Sequence, residues 1–315
     1  MDWSAFAVTL SNSLNQTIHI KTAHALRGGD MHPAYQLQTS IGLLFLKIHH
    51  AQTLSMFQTE ARSLKAIEQS KSIRCPKVLG VGLHNNEQAW LLLEHLTLRH
   101  NGDDFKRGCD LARMHQQVNQ VNGTNSVQNH LQTIAPFGWF EDNFIGVTPQ
   151  KNHWHTDWIT FYGEQRLRQQ LELAQLRGAP QKLYAKGMLL IETLPFWFDT
   201  YQPQASLLHG DLWGGNSAFS ANGTPIVFDP ASYYGDREID IAMSELFNGF
   251  SKAFYQGYNC VFPLDSSYTK RKALYQLYPL LNHFNLFGEP YAQQAQQQIQ
   301  ALLKQSKKPF KNPSP

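Results

Sequence analysis

Cysteine is scarce in this chain. Only Cys75, Cys109 and Cys260 occur in 315 residues, far apart and odd in number. No CxxC spacing exists, so neither a zinc site nor a disulfide framework is expected, and the thiols read as buried or inert. Charge is also sparse, at 16% of residues, and nearly balanced at +3. That argues against a nucleic-acid binder, which needs basic residues gathered on one face. The one basic cluster, KQSKKPFKNPSP from Lys304, is broken by proline, has no apolar period and reads as a frayed tail. Long hydrophobic runs are missing as well. IGLLFLKI, the most apolar short stretch, falls far below the roughly 20 residues a membrane helix needs. The N-terminal MDWSAFAVTLSNSLNQ lacks the basic-then-apolar order of a signal peptide. No membrane and no nucleic acid are therefore expected as partners, and a cytoplasmic location is.

Hydrophobic residues make up 42% of the chain and aromatics 12%, enough to build a substantial core. Residues 2–14 suit a short helix. TIHIKTAHAL, AYQLQTS and GLLFLKI form a predicted three-strand meander with turns at RGGD (27–30) and Ser40–Gly42. Met56, Phe57, Ala61, Leu64 and Ile67 recur at helical spacing. KVLGVGL and AWLLLEHL add two strands around the polar turn HNNEQ. After Leu96 the pattern turns helical: GDDFKRGCDLARMHQQVNQ, 164–177, 181–193, and Ile239 to about Gln300. Residues 136–162 are aromatic-rich and read as irregular. The segregation of strands from helices predicts an α+β, two-lobed architecture. Residues 1–96 form a lobe with a five-stranded antiparallel sheet and a helix; residues 97–315 form a larger, mainly helical lobe.

The chemistry concentrates in HGDLWGGN (209–216) and the later IVFDP. Phosphoryl transfer needs a carboxylate beside the attacking hydroxyl and oxygen ligands that hold Mg2+ against phosphates. Asp211 followed five residues later by Asn216 has the spacing of a kinase catalytic loop, in which the Asp takes the hydroxyl proton and the Asn binds metal. Asp229, at the end of the strand-like PIVFD, can supply the second metal ligand. Asp and Gly also suit plain turns; the joint pattern of Asp211, Asn216 and Asp229 is what favours a phosphotransferase. Such a site needs a lysine on the third strand paired with a glutamate on the next helix. Lys47 sits in LLFLKI, where an ammonium is costly unless paired, and Glu60 falls on the following helix; either one alone would suit a solvated surface. Gly28 and Gly29 suit a turn covering phosphates, and equally an ordinary hairpin, since RGGD is no Walker A motif. Glu94, His95 and Leu96 can offer backbone groups to an adenine edge from the end of a strand. Trp213, two residues after Asp211, can stack an indole on a sugar face. His209 suits a loop-orienting hydrogen bond. Asp240 suits an anchor for the loop backbone, and Asp236 a turn or helix cap. Trp139, Trp154 and Trp158 suit either the wall of a cleft or plain packing.

HGDLWGGN, FDPASYYGDREIDIAM, MFQTEARSL, WLLLEHL and DNFIGVTPQKN together resemble the fructosamine kinase (ketosamine-3-kinase) family in its bacterial branch, from about residue 5 to 290. The resemblance implies a protein-kinase-like fold close to the aminoglycoside phosphotransferases. It also implies use of ATP and Mg2+ to phosphorylate the 3-hydroxyl of sugar amines formed by glycation. The resulting 3-phosphate decomposes and releases the amine, which implies a deglycation role. Carried over, Asp211 is the base, Asn216 and Asp229 are metal ligands, and Lys47 with Glu60 positions phosphates. Trp213 and His283 face the substrate; read without the resemblance, His283 suits a structural histidine. Many members carry a cysteine in the glycine-rich turn that can pair between subunits. Here that position is Asp30, which argues against a disulfide switch and leaves a monomer or a non-disulfide dimer. An aminoglycoside- or choline-kinase-like enzyme would share the metal motifs. A non-catalytic nucleotide binder is disfavoured, since base and ligands are all present.

Overall fold

The computed structural model describes residues 1–26, 33–118, 136–247 and 249–306. Gly28, Gly29 and Asp30 lie outside the described residues. The chain forms two compact units, each assembled from separate segments: 1–116 with 211–232 and 249–262, and 117–210 with 233–248 and 263–315.

In the first unit, α1 (Trp3–Leu14) starts where the Asp2 carboxylate accepts the Ser4 and Ala5 amides at 2.9 and 3.2 Å, and ends at Asn15 in the left-handed region. Strands β1 (Ile20–Leu26), β2 (Ala34–Thr39), β3 (Gly42–His50), β4 (Val78–His84) and β5 (Gln88–Glu94) pair antiparallel in the order β1-β2-β3-β5-β4. The expected meander and five-stranded sheet are thus present. The β4–β5 connection spans three residues, 85–87, between the paired His84 and Gln88, and places Asn85 and Asn86 at positive φ, a conformation asparagine tolerates. Trp90 and Leu92 of β5 and Leu44, Leu46 and Ile48 of β3 pack with Phe6 and Leu10 of α1. Strand alternation sends the residues between them to the other face. There α2 (Leu54–Ser70) buries Phe57, Ala61, Leu64 and Ile67 against β4 and β5. Lys47 lies between Leu46 and Ile48, so it faces α2. Glu60 follows Phe57 by three residues, on the buried stripe of that helix.

The same unit contains α3 (Asp104–His115), whose N-terminal amide of Lys106 is capped by Asp103 at 2.9 Å. Strands Ser217–Ser220 and Pro225–Val227 form a hairpin that takes Leu98–Arg99 as a third strand, an addition not expected from sequence. Strand Pro225–Val227 stops before Asp229, which lies two residues beyond it instead of at its end.

In the second unit, residues 136–162 are more ordered than their composition suggests. They hold a hairpin, Asn143–Ile145 with Thr148–Gln150, and a helix beginning at Trp158. That helix continues through a π-helical stretch, Tyr162–Arg168, to Leu176, so the element expected over 164–177 begins earlier. Trp139 and Trp158 are buried: the Trp139 ring packs on Tyr234, and the Trp158 Nε1 donates to the Tyr275 hydroxyl at 2.9 Å. Packing is therefore their part. Strands Ala205–Leu207 and Tyr234–Asp236 pair antiparallel. Helices Gln181–Glu192, Glu238–Leu246, Tyr268–Phe287 and Tyr291–Ser306 complete this unit's larger elements; the last reaches past Lys304, and the remainder of the basic tail lies outside the described residues. No helix among the described residues is long and apolar enough to cross a membrane.

Candidate active site

Lys47 bridges two carboxylates. Its Nζ donates to Glu60 Oε1 at 2.7 Å and to Asp229 Oδ1 at 2.8 Å, with the lysine side chain only 11% exposed. Burial by itself would lower the ammonium pKa. The charges and hydrogen bonds of Asp229 and Glu60 more than offset this and hold it above the ordinary lysine value. Burial raises the Glu60 carboxyl against the pull of Lys47. Asp229 is the most open of the three, its side chain 47% exposed, and it sits at φ +55 before Pro230. A non-glycine residue in the left-handed region is uncommon, Asp being among the residues that tolerate it. Here the conformation turns the carboxylate back from the strand end to Lys47.

Asp211 and Asn216 are joined directly. Asn216 Nδ2 donates to Asp211 Oδ2 at 2.9 Å and to the Asp211 carbonyl at 3.0 Å. With Nδ2 so used, Oδ1 is the amide atom suited to a cation. Asn216 also accepts, through its backbone carbonyl, the amide of Phe228 at 3.1 Å. The hairpin that pairs Ser217 with Val227 therefore carries Asn216 to a position beside the residue preceding Asp229. One unit thus brings together Lys47, Glu60, Asp229, Asn216 and Asp211 from three separated stretches of sequence. Trp213 lies in the same loop, 38% exposed.

The backbone leading into Asp211 is held within the second unit. Asp240 is fully buried and accepts the amides of His209 and Gly210 at 2.7 and 2.9 Å. This is the loop-anchoring contact expected of Asp240. Asp236 caps Glu238, accepting its amide at 3.0 Å. It is also fully buried and takes the hydroxyls of Tyr201, at 3.0 Å, and Tyr275. Arg271 and Glu238, both without exposure, form a two-bond pair at 2.8 and 2.9 Å at the start of the helix that carries Asp240. Sequence reasoning missed this pair. The available signal was an arginine within the stripe Tyr268, Arg271, Leu274, Tyr275 and Tyr278, all buried.

The remaining expected site residues are placed as follows. The β5 ladder ends at Glu94, opposite Leu44, and the Glu94 carboxylate accepts the Lys77 amide at 3.1 Å. His95 and Leu96 then leave the sheet, with the His95 ring 2.7 Å from Gln36 Nε2 and its pKa lowered by burial. His283 belongs to the second unit, among the rings of Phe247, Phe287 and Tyr291 at 4.4, 5.6 and 5.2 Å. Its Nδ1 lies 2.8 Å from the Pro279 carbonyl, which can only accept, so Nδ1 carries the proton. Burial lowers the His283 pKa from its ordinary 6.5. The folded state then binds fewer protons than the unfolded chain, and the contribution of neutral His283 to stability is lost as pH falls through the lowered value. Urea unfolding of the parent and His283→Asn is expected to show their stability difference shrinking as pH drops from 7 to about 5. A difference that grew on acidification would contradict the assignment.

A buried lysine tied to two carboxylates, next to an Asp–Asn pair on a glycine-bearing loop, defines a kinase-like phosphotransferase, and the fold is that of such enzymes. The family model for fructosamine kinase matches residues 2–305, and the chain belongs to that family. A Synechocystis protein described as a probable ketoamine kinase is 38% identical over 96% of this chain and 97% of its own length. The chloroplastic protein-ribulosamine 3-kinase of Arabidopsis thaliana is 37% identical over 89% of this chain and 82% of its own. A crystal structure of a candidate fructosamine-3-kinase from Haemophilus somnus superposes with a TM-score of 0.81 at 29% identity, covering 96% and 97% of the two chains. The protein is therefore an ATP-dependent phosphotransferase.

Proposed function

We propose that this enzyme phosphorylates the 3-hydroxyl of ketosamines and so takes part in deglycation. The observation that carries the reading is the Lys47–Glu60–Asp229 bridge in one unit with the Asp211–Asn216 pair. In this reading Asp211 accepts the proton of the attacking hydroxyl. Lys47, fixed by Glu60, positions the phosphates. Glu94, His95 and Leu96 offer backbone groups to adenine, and Trp213 faces the ketosamine. Residues 1–96 serve as the nucleotide lobe and 97–315 as the lobe for catalysis and substrate, in a cytoplasmic enzyme.

Asn216 and Asp229 would hold Mg2+. The donors fit: a carboxylate and an amide oxygen are hard ligands of the kind Mg2+ takes, usually one or two from protein with phosphates and water completing the shell. Bound there, Mg2+ would neutralise charge on the phosphates. The titratable acceptor of the substrate proton remains Asp211.

Relatives described as ketoamine and protein-ribulosamine 3-kinases support a ketosamine acceptor. Ribulosamines, erythrulosamines and fructosamines, free and on protein lysines, would be assayed with Mg-ATP, with the phosphorylated carbon located by NMR. Transfer to the 3-hydroxyl of at least one ketosamine is expected. Turnover of aminoglycosides with no activity on any ketosamine would replace this reading.

A further inference from the structure

The loop between Asp211 and Asn216 contains two adjacent glycines, and their surroundings differ. Trp213 has extended backbone (φ −137, ψ 173) and precedes a tight turn, Gly214–Asn216, closed by the Asn216 amide on the Trp213 carbonyl at 3.0 Å. The turn folds the indole back over the chain. A Cβ built on Gly215 would lie 2.2 Å from Trp213 Cη2, 2.4 Å from Cζ2 and 2.7 Å from Cζ3. The benzene half of the indole thus fills the space that any side chain at 215 would need. Gly214 is approached from elsewhere: a Cβ on Gly249, itself at φ +107, would lie 2.5 Å from the Gly214 Cα. At 249 the obstacle is backbone; at 215 it is the far end of one side chain, which can swing away.

This contrast separates the two roles. A substitution at Gly249 pushes on the main chain that carries Asp211 and Asn216. A substitution at Gly215 displaces the Trp213 ring. We propose that Gly215 is a positioning residue for the acceptor: its bare Cα is the seat of the Trp213 indole and fixes which face that ring offers. The inference rests on reading Trp213 as an acceptor contact. Its physical content is preorganisation, since a ring held in one rotamer before binding loses less freedom when the substrate arrives. The binding surface then depends on a residue with no side chain of its own.

The test is a double-mutant cycle in the full-length enzyme with Mg-ATP and a ribulosamine. Gly215→Ala is expected to raise KM for the ribulosamine by about tenfold, the scale of one lost apolar contact in a pocket. KM for ATP should stay as in the parent, which marks loss of acceptor binding instead of damage to the nucleotide site. Trp213→Ala should raise the acceptor KM similarly. Adding Gly215→Ala to Trp213→Ala should change nothing further, because no ring remains to displace. In enzyme labelled with 5-fluorotryptophan, the resonance that disappears in Trp213→Phe should shift in Gly215→Ala. Gly249→Ala serves as contrast and should lower kcat. Should Gly215→Ala fold poorly alone, the comparison of the double variant with Trp213→Ala carries the test.

An unchanged acceptor KM and an unmoved fluorine resonance in Gly215→Ala would overturn the inference. So would a further rise in KM when Gly215→Ala is added to Trp213→Ala, since the effect would then travel through the backbone. If Trp213→Ala left the acceptor KM unchanged, the contact assigned to Trp213 would fall, and the role of Gly215 with it. Failure of the parent to phosphorylate any ketosamine would be a separate result, counting against the proposed substrate.

Discussion

Asp211→Asn is expected to reduce turnover by about 10²- to 10⁴-fold, the range over which a positioned general base contributes. The substitution keeps the shape of the side chain and leaves an oxygen that can still accept from Asn216 Nδ2, now 2.9 Å from Asp211 Oδ2. It removes the negative charge and the basicity. Lys47, Glu60 and Asp229 form their cluster without Asp211, so affinity for ATP should be largely intact. A coupled ADP-release assay together with calorimetric titration of the nucleotide separates the two quantities. A variant that phosphorylated a ketosamine at the parent rate would show that another group takes the proton.

The second large effect concerns stability. Arg271→Ala is expected to cost about 3–5 kcal/mol, the usual result of removing one partner of a buried ion pair. Arg271 and Glu238 are both fully buried, and the guanidinium also lies 3.8 Å from the centre of the Tyr201 ring. Burial, with the negative charge of Asp236 adding to it, pushes the Glu238 carboxyl up to about 7 even with Arg271 in place. Without the arginine it would rise further. The sign of the pH dependence follows. A carboxyl raised in the fold contributes stability that is present below its ordinary 4.5 and lost as pH rises through the folded value. The deficit of Arg271→Ala should therefore be smaller at pH 5 than at pH 8 in urea unfolding. Replacing both partners by apolar residues, Arg271→Met with Glu238→Leu, should recover part of the loss, because Glu238 is no longer left as an unpaired buried charge, although Asp265, 3.3 Å from Arg271, still loses its partner. A deficit independent of pH, or a double replacement no better than the single one, would show that the pair is not the source of the effect.

Much of the molecule was legible because its signals are local. The helix over Leu54–Ser70 follows from apolar residues every three or four positions, and the five strands follow from alternation punctuated by turn residues. The Asp211–Asn216 contact spans five residues, and one turn closes it. The pairing of Lys47 with Glu60 was legible because both sit on periodic elements, whose buried faces can be counted along the chain. The harder cases depend on folding at a distance. Asp229 was expected as a metal ligand at a strand end, but its bond to Lys47 joins residues 182 positions apart, through a left-handed residue that no period reveals. The region 136–162 was read as irregular because its aromatic residues mask a hairpin only three residues long on each side.

The order of the elements, the spacing that brings Asp211 and Asn216 together and the family were written in the residues themselves, because helical and strand periods and a five-residue loop are short-range properties. That Lys47 also meets Asp229, and that Arg271 meets Glu238, was settled by tertiary structure alone. The energy of an ion such as Arg271 or Lys47 depends on what lies within a few ångströms once water is excluded, and those neighbours come from distant parts of the chain.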